Sequence, residues 1–408
     1  MRVEDISIKL RLGVYIIALL GYVFYTYNFV VIDYIRPYLL QSMTLSQTAY
    51  LYTSESVGAV IGSFLMAWMG KRIGLKNSII LITAINGIGS LINIQFSSFI
   101  PWLIMRFIIG IALGGYFVAA VGILVFFMEI TYRGRLGAFY ECCFSLSLIL
   151  LGFLGSLVNQ HDWQYLVDFG AIPPIVIAIV MYFVIPDDRK LTTFSNQGET
   201  KKSNKSSYKG LFKDKRLLVF ALLCLILSGC NLFAYQFFAA YLTTYTHTVL
   251  HLSDHKMGYI IVAQGIGALI GGISWGFISD FLGRKVALLG FVIAAIAIFF
   301  FFLSGHNFAL LFLCVVIYGF MISCTYCWGV YFAEIFPEEH RLVGASLYHG
   351  GRIFSFFAPF ALMTLTKDTS LRFSMEVGSI TILILGALIW SVLPETFIKH
   401  QDATVSKN

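Results

Sequence analysis

Long apolar runs, separated by short clusters of Gly, Asn, Ser, Pro and charged residues, recur from one end of the chain to the other. Each run offers the roughly 20 helical residues that cross a hydrocarbon layer of about 30 Å at 1.5 Å per residue. The runs do not alternate apolar and polar positions as the strands of a membrane barrel do. The pattern predicts twelve membrane-spanning helices near 12–36, 48–70, 77–97, 101–127, 136–158, 165–186, 217–247, 256–279, 285–304, 307–333, 343–365 and 374–393. One long polar stretch, 187–216, is rich in Ser, Lys and Asn and reads as a linker. It divides the chain into an N-terminal six-helix bundle (1–186), a C-terminal six-helix bundle (217–396) and a short tail (397–408).

The two halves repeat one another. A shift of 209 positions lays Gly58, Gly62, Gly74 and Lys76 on Gly267, Gly271, Gly283 and Lys285, while Lys71 falls on Asp280. Such parallel repeats are a transporter architecture in which the substrate lies near the midplane, between halves that rock against each other. The expected fold is therefore an all-α membrane protein of two pseudo-symmetric bundles.

Composition agrees: 58% of the 408 residues are hydrophobic and 12% charged, against roughly 25% charged in soluble chains. Of the 28 Lys and Arg residues, 22 fall on the segments that share a side with the termini, and four (Arg36, Lys256, Lys367, Arg372) on the other. The asymmetry predicts cytoplasmic termini in a plasma (inner) membrane. It makes the net charge of +7 a matter of topology, with no nucleic-acid partner implied. All seven cysteines fall in predicted helices, so no disulfide framework is expected. No phosphate-cradling Gly-x4-Gly-Lys-Ser/Thr sequence occurs, and neither "CTYC" (324–327) nor His247, His251 and His255 makes a persuasive metal set. No enzymatic activity and no cofactor are expected.

"GFISDFLGRK" (276–285) resembles the signature that the major facilitator superfamily carries between helices 8 and 9. "RFIIGIALGG" (106–115), "YFAEIFPEEHRLVG" (331–344), "LPET" (393–396) and "SGCNLFAY" (228–235) resemble its sugar-porter and organic-acid symporter branches, and "GASLYHGGRIFSFFAP" (344–359) looks like helix 11 of the latter. Departures matter too. Where sugar porters place two glutamines in helix 7 this chain has Leu225 and Ile226, which argues against a hexose.

The resemblance implies a gate on the cytoplasmic side. Asp280 is expected at the start of helix 5 near Arg133 and Arg135, with Arg284 close to Glu334, and Lys285 and Arg341 belong to the same gate. In the first copy Lys71 has the wrong sign for a helix N-terminus, and Glu338 and Glu339 are expected to supply its counter-charge. Proton-linked sugar porters carry an Asp in helix 1 opposite the helix 4 arginine. Here Asn28 takes that place opposite Arg106, so a coupled proton needs another carboxyl, for which Glu55 and Glu141 are the buried choices.

Arg352 carries the solute expectation. It lies eleven residues beyond Arg341, roughly 16 Å deep at 1.5 Å per residue, where a permanent cation needs a wet cavity or a counter-charge. One reading is a fixed ion pair with Glu141. The other gives its planar fork to a carboxylate or phosphate of the solute, with Asn28, Asn231, Tyr235, Gln236 and Gln264 adding hydrogen bonds. Asp33 and Asp168, near the outer ends of their helices, are expected to be solvated or capping. The expected function is secondary active transport of a small polar, anionic organic solute by a monomer in the lipid bilayer, coupled to H+. An uncoupled facilitator or exporter of the same fold, or a transporter-like sensor, are the rivals.

Overall fold

The computed structural model describes residues 5–191, 214–337 and 340–396; within its helices the side chains of 130–135, 137, 138, 342, 343, 345 and 349 lie outside the description. Twelve helical spans follow in order. The first half comprises α1 (Ile8–Leu39), α2 (Leu45–Ile73), α3 (Leu75–Asn93), α4 (Phe99–Phe127), α5 (Ile130–Leu157) and α6 (Gln164–Val184). The second comprises α7 (Lys215–Phe237, continued by Leu242–Thr248), α8 (Asp254–Leu282), α9 (Leu288–Leu303), α10 (Phe308–Ile322, continued by Trp328–Ile335), α11 (Arg341–Gly350, Arg352–Ser355 and Ala358–Asp368) and α12 (Leu371–Val392). Ten of these spans are individually long and apolar enough to cross a membrane, and α2 and α11 complete the bundles.

Three predicted continuous helices prove to be broken. The α7 helix yields at Phe238 to a short tighter turn, Ala239–Tyr241, leaving a carbonyl free for a partner from the other half. In α11 the ladder is interrupted after the Gly350-Gly351 pair and again at Phe357, where Pro359 opens the last segment from a position that needs no amide hydrogen. The α10 helix passes through a tight turn at Ser323–Cys327.

The internal repeat is exact enough to be seen in single atoms. A Cβ on Gly58 would meet the Phe107 carbonyl at 2.3 Å and one on Gly62 the Ile111 carbonyl at 2.0 Å. Their mates Gly267 and Gly271 would meet Val316 and Phe320 at 2.1 and 2.3 Å, so α2 on α4 and α8 on α10 are the same close crossing, open only to small residues. Both tight turns hold a glycine in the left-handed region, Gly74 at φ 85° and Gly283 at φ 100°. Each is followed by a helix start capped from a distance. The Asp188 carboxylate accepts from the Leu75 and Lys76 amides (2.8 and 2.9 Å), and Glu395 accepts from those of Arg284 and Lys285 (3.0 and 2.9 Å). Carboxylates suit these helix N-termini because free N–H groups and the helix dipole both favour an anion.

These turns and α1's start share one face, here the terminal face. Bonds between the halves lie at mid-span or toward the opposite face. Tyr38 donates to Asp254 Oδ1 (2.9 Å), the Gln160 amide to Asp254 Oδ2 (3.0 Å), and His255 Nδ1 lies 3.1 Å from the Ser156 carbonyl. Backbone contact reinforces them: a Cβ on Gly258 would stand 2.5 Å from the Gly152 carbonyl. Nearer mid-span the Ser145 and Tyr326 hydroxyls are 3.3 Å apart. The contacts of Asp254, His255 and Gly258 close the molecule on the opposite face.

Candidate functional site

Between the halves lies a cavity of about 170 Å³, smaller than the ~300–1,000 Å³ of sites for drug-sized ligands. Its walls are unusually aromatic. Tyr22, Tyr25 and Phe29 of α1, Tyr52 of α2, Tyr140 and Phe144 of α5, Tyr235 of α7, Tyr318 and Tyr326 of α10 and Tyr348 of α11 all face it. The α1 contribution follows from i, i+3 and i+4 spacing, which puts residues 22, 25, 26 and 29 on one stripe. Polar groups converge among the rings: Glu141, Ser228, Asn231, Gln264 and Arg352.

Arg352 spans the gap between halves. Its Nη2 donates to the Tyr25 hydroxyl (3.1 Å), and the guanidinium stands 5.5 Å from the Phe29 ring centroid. It makes no ion pair with Glu141 among those described; the glutamate faces the Tyr348 hydroxyl instead. The expected fixed pair is therefore absent, and a cation and an anion share one cavity without neutralising each other by contact. Both line the cavity between the halves, where a charge costs less than against lipid.

Several expected site residues are elsewhere. Asn28 does not face Arg106: its amide donates to Asn86 Oδ1 (3.2 Å) and to the Gly170 carbonyl (2.8 Å), tying α1 to α3 and α6 outside the cavity wall. A Cβ on Gly170 would lie 2.4 Å from Asn28 Oδ1, so the fit is tight. Gln236 is buried away from the cavity, with neither amide atom hydrogen-bonded. Arg106 instead pairs with Glu55 (3.1 Å), both all but completely buried, and lies 5.5 Å from the Trp102 ring. That pair locks α2 to α4 and withdraws Glu55 from the cavity, which its neighbour Ser56 lines. Asn231, Tyr235 and Gln264 do line the cavity; Gln264 is the repeat mate of Glu55, 209 positions on.

One cluster escaped the sequence reading. Asp33 and Arg36 are buried within α1 rather than solvated, paired at 2.7 Å. Arg36 also donates to the carbonyl that the α7 break frees on Ala240, and stacks 4.0 Å from the Tyr241 ring. Tyr235 donates to the other Asp33 oxygen (3.3 Å), and Thr243 to the Asp33 carbonyl (2.7 Å). The cluster therefore fastens α1 to α7 just above the cavity, on the closed side. The signal in sequence was an acid and a base at i, i+3 inside an apolar run, hidden by ending the predicted helix at residue 36. Removing one partner of such a pair strands the other charge, at a cost of roughly 3–5 kcal/mol. Arg36→Gln is thus expected to destabilise the closed opposite face more than the double variant Asp33→Asn/Arg36→Gln does, read as reactivity of a cysteine placed at Leu148, which lines the closed side of the cavity, toward a thiol reagent added from that face; equal reactivity in both variants would refute the latch.

On the terminal face Arg284 gathers a network. It bonds Asp280 Oδ1 (2.5 Å), both Glu334 oxygens (3.2 Å each) and Ser279 Oγ (3.0 Å), while Thr396 donates to Glu334 (2.6 Å). Lys285 Nζ reaches the Ser391 carbonyl (2.8 Å). Asp280 is exposed, and its described partner is Arg284 on its own side. Lys71 and Arg341 are exposed. The side chains of Arg133 and Arg135, and the whole of Glu338 and Glu339, lie outside the described residues. Likewise His247 and His255 point to separate partners, Asp254 (3.6 Å) and Ser156, because α7 ends at Thr248.

Among the described residues, twelve helical spans in two like halves with a polar cavity between them define a solute transporter. The Major Facilitator Superfamily profile matches residues 18–261 and again 224–407; the chain belongs to that superfamily, and it is a multi-pass membrane protein. It is 27% identical over 368 residues to the cis,cis-muconate transport protein of Acinetobacter baylyi, covering 85% of this chain and 83% of that one. It is 24% identical to the sialic acid transporter NanX of Escherichia coli, covering 81% of each. In fold it is similar to the partially occluded, inward-open xylose transporter XylE from E. coli (TM-score 0.73, 17% identity, covering 96% of this chain and 99% of that one).

Proposed function

We propose that this transporter carries a small organic acid, with the solute's carboxylate on Arg352 and a proton on Glu141. The observation that supports it is the state of Arg352: a cation near mid-span, facing a cavity, held by a phenol and a ring but by no described carboxylate. A guanidinium in that setting offers two parallel N–H donors to a planar anion. A phosphate would satisfy the same fork. The two relatives are named for acids, muconate and sialic acid, which is consistent with an anionic load. Of the two carboxyls expected to couple a proton, Glu55 is committed to Arg106, whereas Glu141 faces the cavity.

In this reading the terminal face is cytoplasmic, as the basic residues require, and the membrane is the plasma (inner) membrane. The protein works as a monomer, and alternating access means closing this face while the opposite one opens. Closure brings Asp280 and the Arg284, Lys285, Glu334 and Arg341 cluster against the α5 start, where Arg133 and Arg135 lie in sequence. Lys71 meets the Glu338–Glu339 segment in the second copy. The test is accumulation in proteoliposomes. Wild-type protein is expected to concentrate a labelled acid when a pH gradient is imposed, and Glu141→Gln to equilibrate it without concentrating it; a Glu141→Gln protein that still drives accumulation removes the proton from this site.

A further inference from the structure

The cavity is lined by one basic and one acidic side chain, Arg352 and Glu141, that form no ion pair with each other. Glu141 on α5 is faced by Tyr22 from α1, Tyr326 from α10, and Tyr348 and Arg352 from α11, with Cys142 and Cys143 beside it on its own helix. Arg352 is thus the one cation among the described groups facing it. With Glu141 ionised, the empty site is neutral. It can reorient through a closed intermediate without carrying net charge into a dry interior, where an unbalanced ion costs several kcal/mol.

We propose that the site accepts only loads that preserve this neutrality, and that its preferred solute is therefore a bipolar acid. Its carboxylate lies on Arg352 and its protonated nitrogen on Glu141; a simple monocarboxylate must bring a proton to Glu141 instead. This rests on the reading of Arg352 and Glu141 given above and adds the solute class. The reasoning is electrostatic. A monoanion docked on Arg352 consumes its charge and leaves Glu141 uncompensated in a closing cavity. Either a proton or an ammonium group cancels it. The ammonium does so with a charge-assisted hydrogen bond, and the surrounding tyrosine faces attract a cation and stack on a ring. An amino-substituted aromatic acid satisfies every wall at once.

The test uses the purified full-length transporter in lipid nanodiscs and three related probes: 4-(aminomethyl)benzoate, 4-methylbenzoate and benzylamine. At pH 8 the bipolar probe is expected to bind at least about tenfold more tightly than 4-methylbenzoate, the scale of one hydrogen bond to a charged group. Lowering the pH to 6 should strengthen 4-methylbenzoate relative to the bipolar probe, because a falling pH supplies the proton that the monoanion needs and that competes with the ammonium for Glu141. Glu141→Gln should erase both differences. Proton uptake on binding gives a readout that needs no variant: about one proton per 4-methylbenzoate and none per bipolar probe. No preference for the bipolar probe at either pH, with Arg352→Gln still weakening both acids, would overturn the neutrality rule and leave the anion site standing. Benzylamine binding as tightly as the bipolar probe, or Arg352→Gln weakening neither acid, would overturn both.

Discussion

Arg352→Gln is expected to lose most of the affinity for the transported acid, by roughly 2–5 kcal/mol, or ~30-fold to several thousand-fold. The substitution keeps a polar side chain of similar reach but removes the charge and the fork. Arg352→Lys should fall between, since a point charge can meet one carboxylate oxygen without the paired geometry. Folding should survive, because Arg352 is held by the Tyr25 hydroxyl and the Phe29 ring rather than by a buried carboxylate. Glutamine leaves Glu141 without its facing cation, a charge that a proton on Glu141 cancels. Binding measured on detergent-purified protein separates loss of affinity from loss of protein. Full affinity in both variants would mean that the guanidinium is a structural cation.

Gly258→Leu should arrest the cycle without touching the solute site. The α5 and α8 backbones meet on the closed side, where a Cβ at Gly258 would lie 2.5 Å from the Gly152 carbonyl and 2.5 Å from the Ser156 amide nitrogen. Backbone on backbone cannot yield as a side-chain tip can. Overpacking costs of about 1–3 kcal/mol would lower the population of this state ~5- to 150-fold, shifting the molecule toward one open on the opposite face. Transport should fall by a similar factor while solute still binds. Spin labels at Asn159 and Ser253, both exposed beside that seam, should move apart in the variant; an unchanged distance with normal transport would show that the contact does not limit closure.

The spans, the repeat and the depth of Arg352 were legible in the sequence because each rests on one strong term. Apolar length sets the spans, a repeated glycine spacing sets the close helix crossings, and an arginine that cannot lose its charge marks the cavity. What was hidden depends on pairing across space. Nothing local tells Glu55 to turn toward Arg106 rather than the cavity, or Asn28 to bind Asn86 and Gly170. The α7 break at Phe238 has no proline or glycine to announce it; it is favoured where Arg36 takes the freed Ala240 carbonyl, a tertiary term that overrides local helix propensity. The tyrosines were visible one by one, yet only the assembled halves turn them into walls.

The central claim is that the load is an anion held by Arg352. Its most direct measurement is uptake into proteoliposomes of matched acids and amides, such as benzoate against benzamide, with purified wild-type and Arg352→Gln protein. The account predicts that acids of this shape enter and displace one another, that the uncharged amides do neither, and that the variant removes the distinction. Amides carried as well as acids, or acids carried equally well by Arg352→Gln, would contradict it.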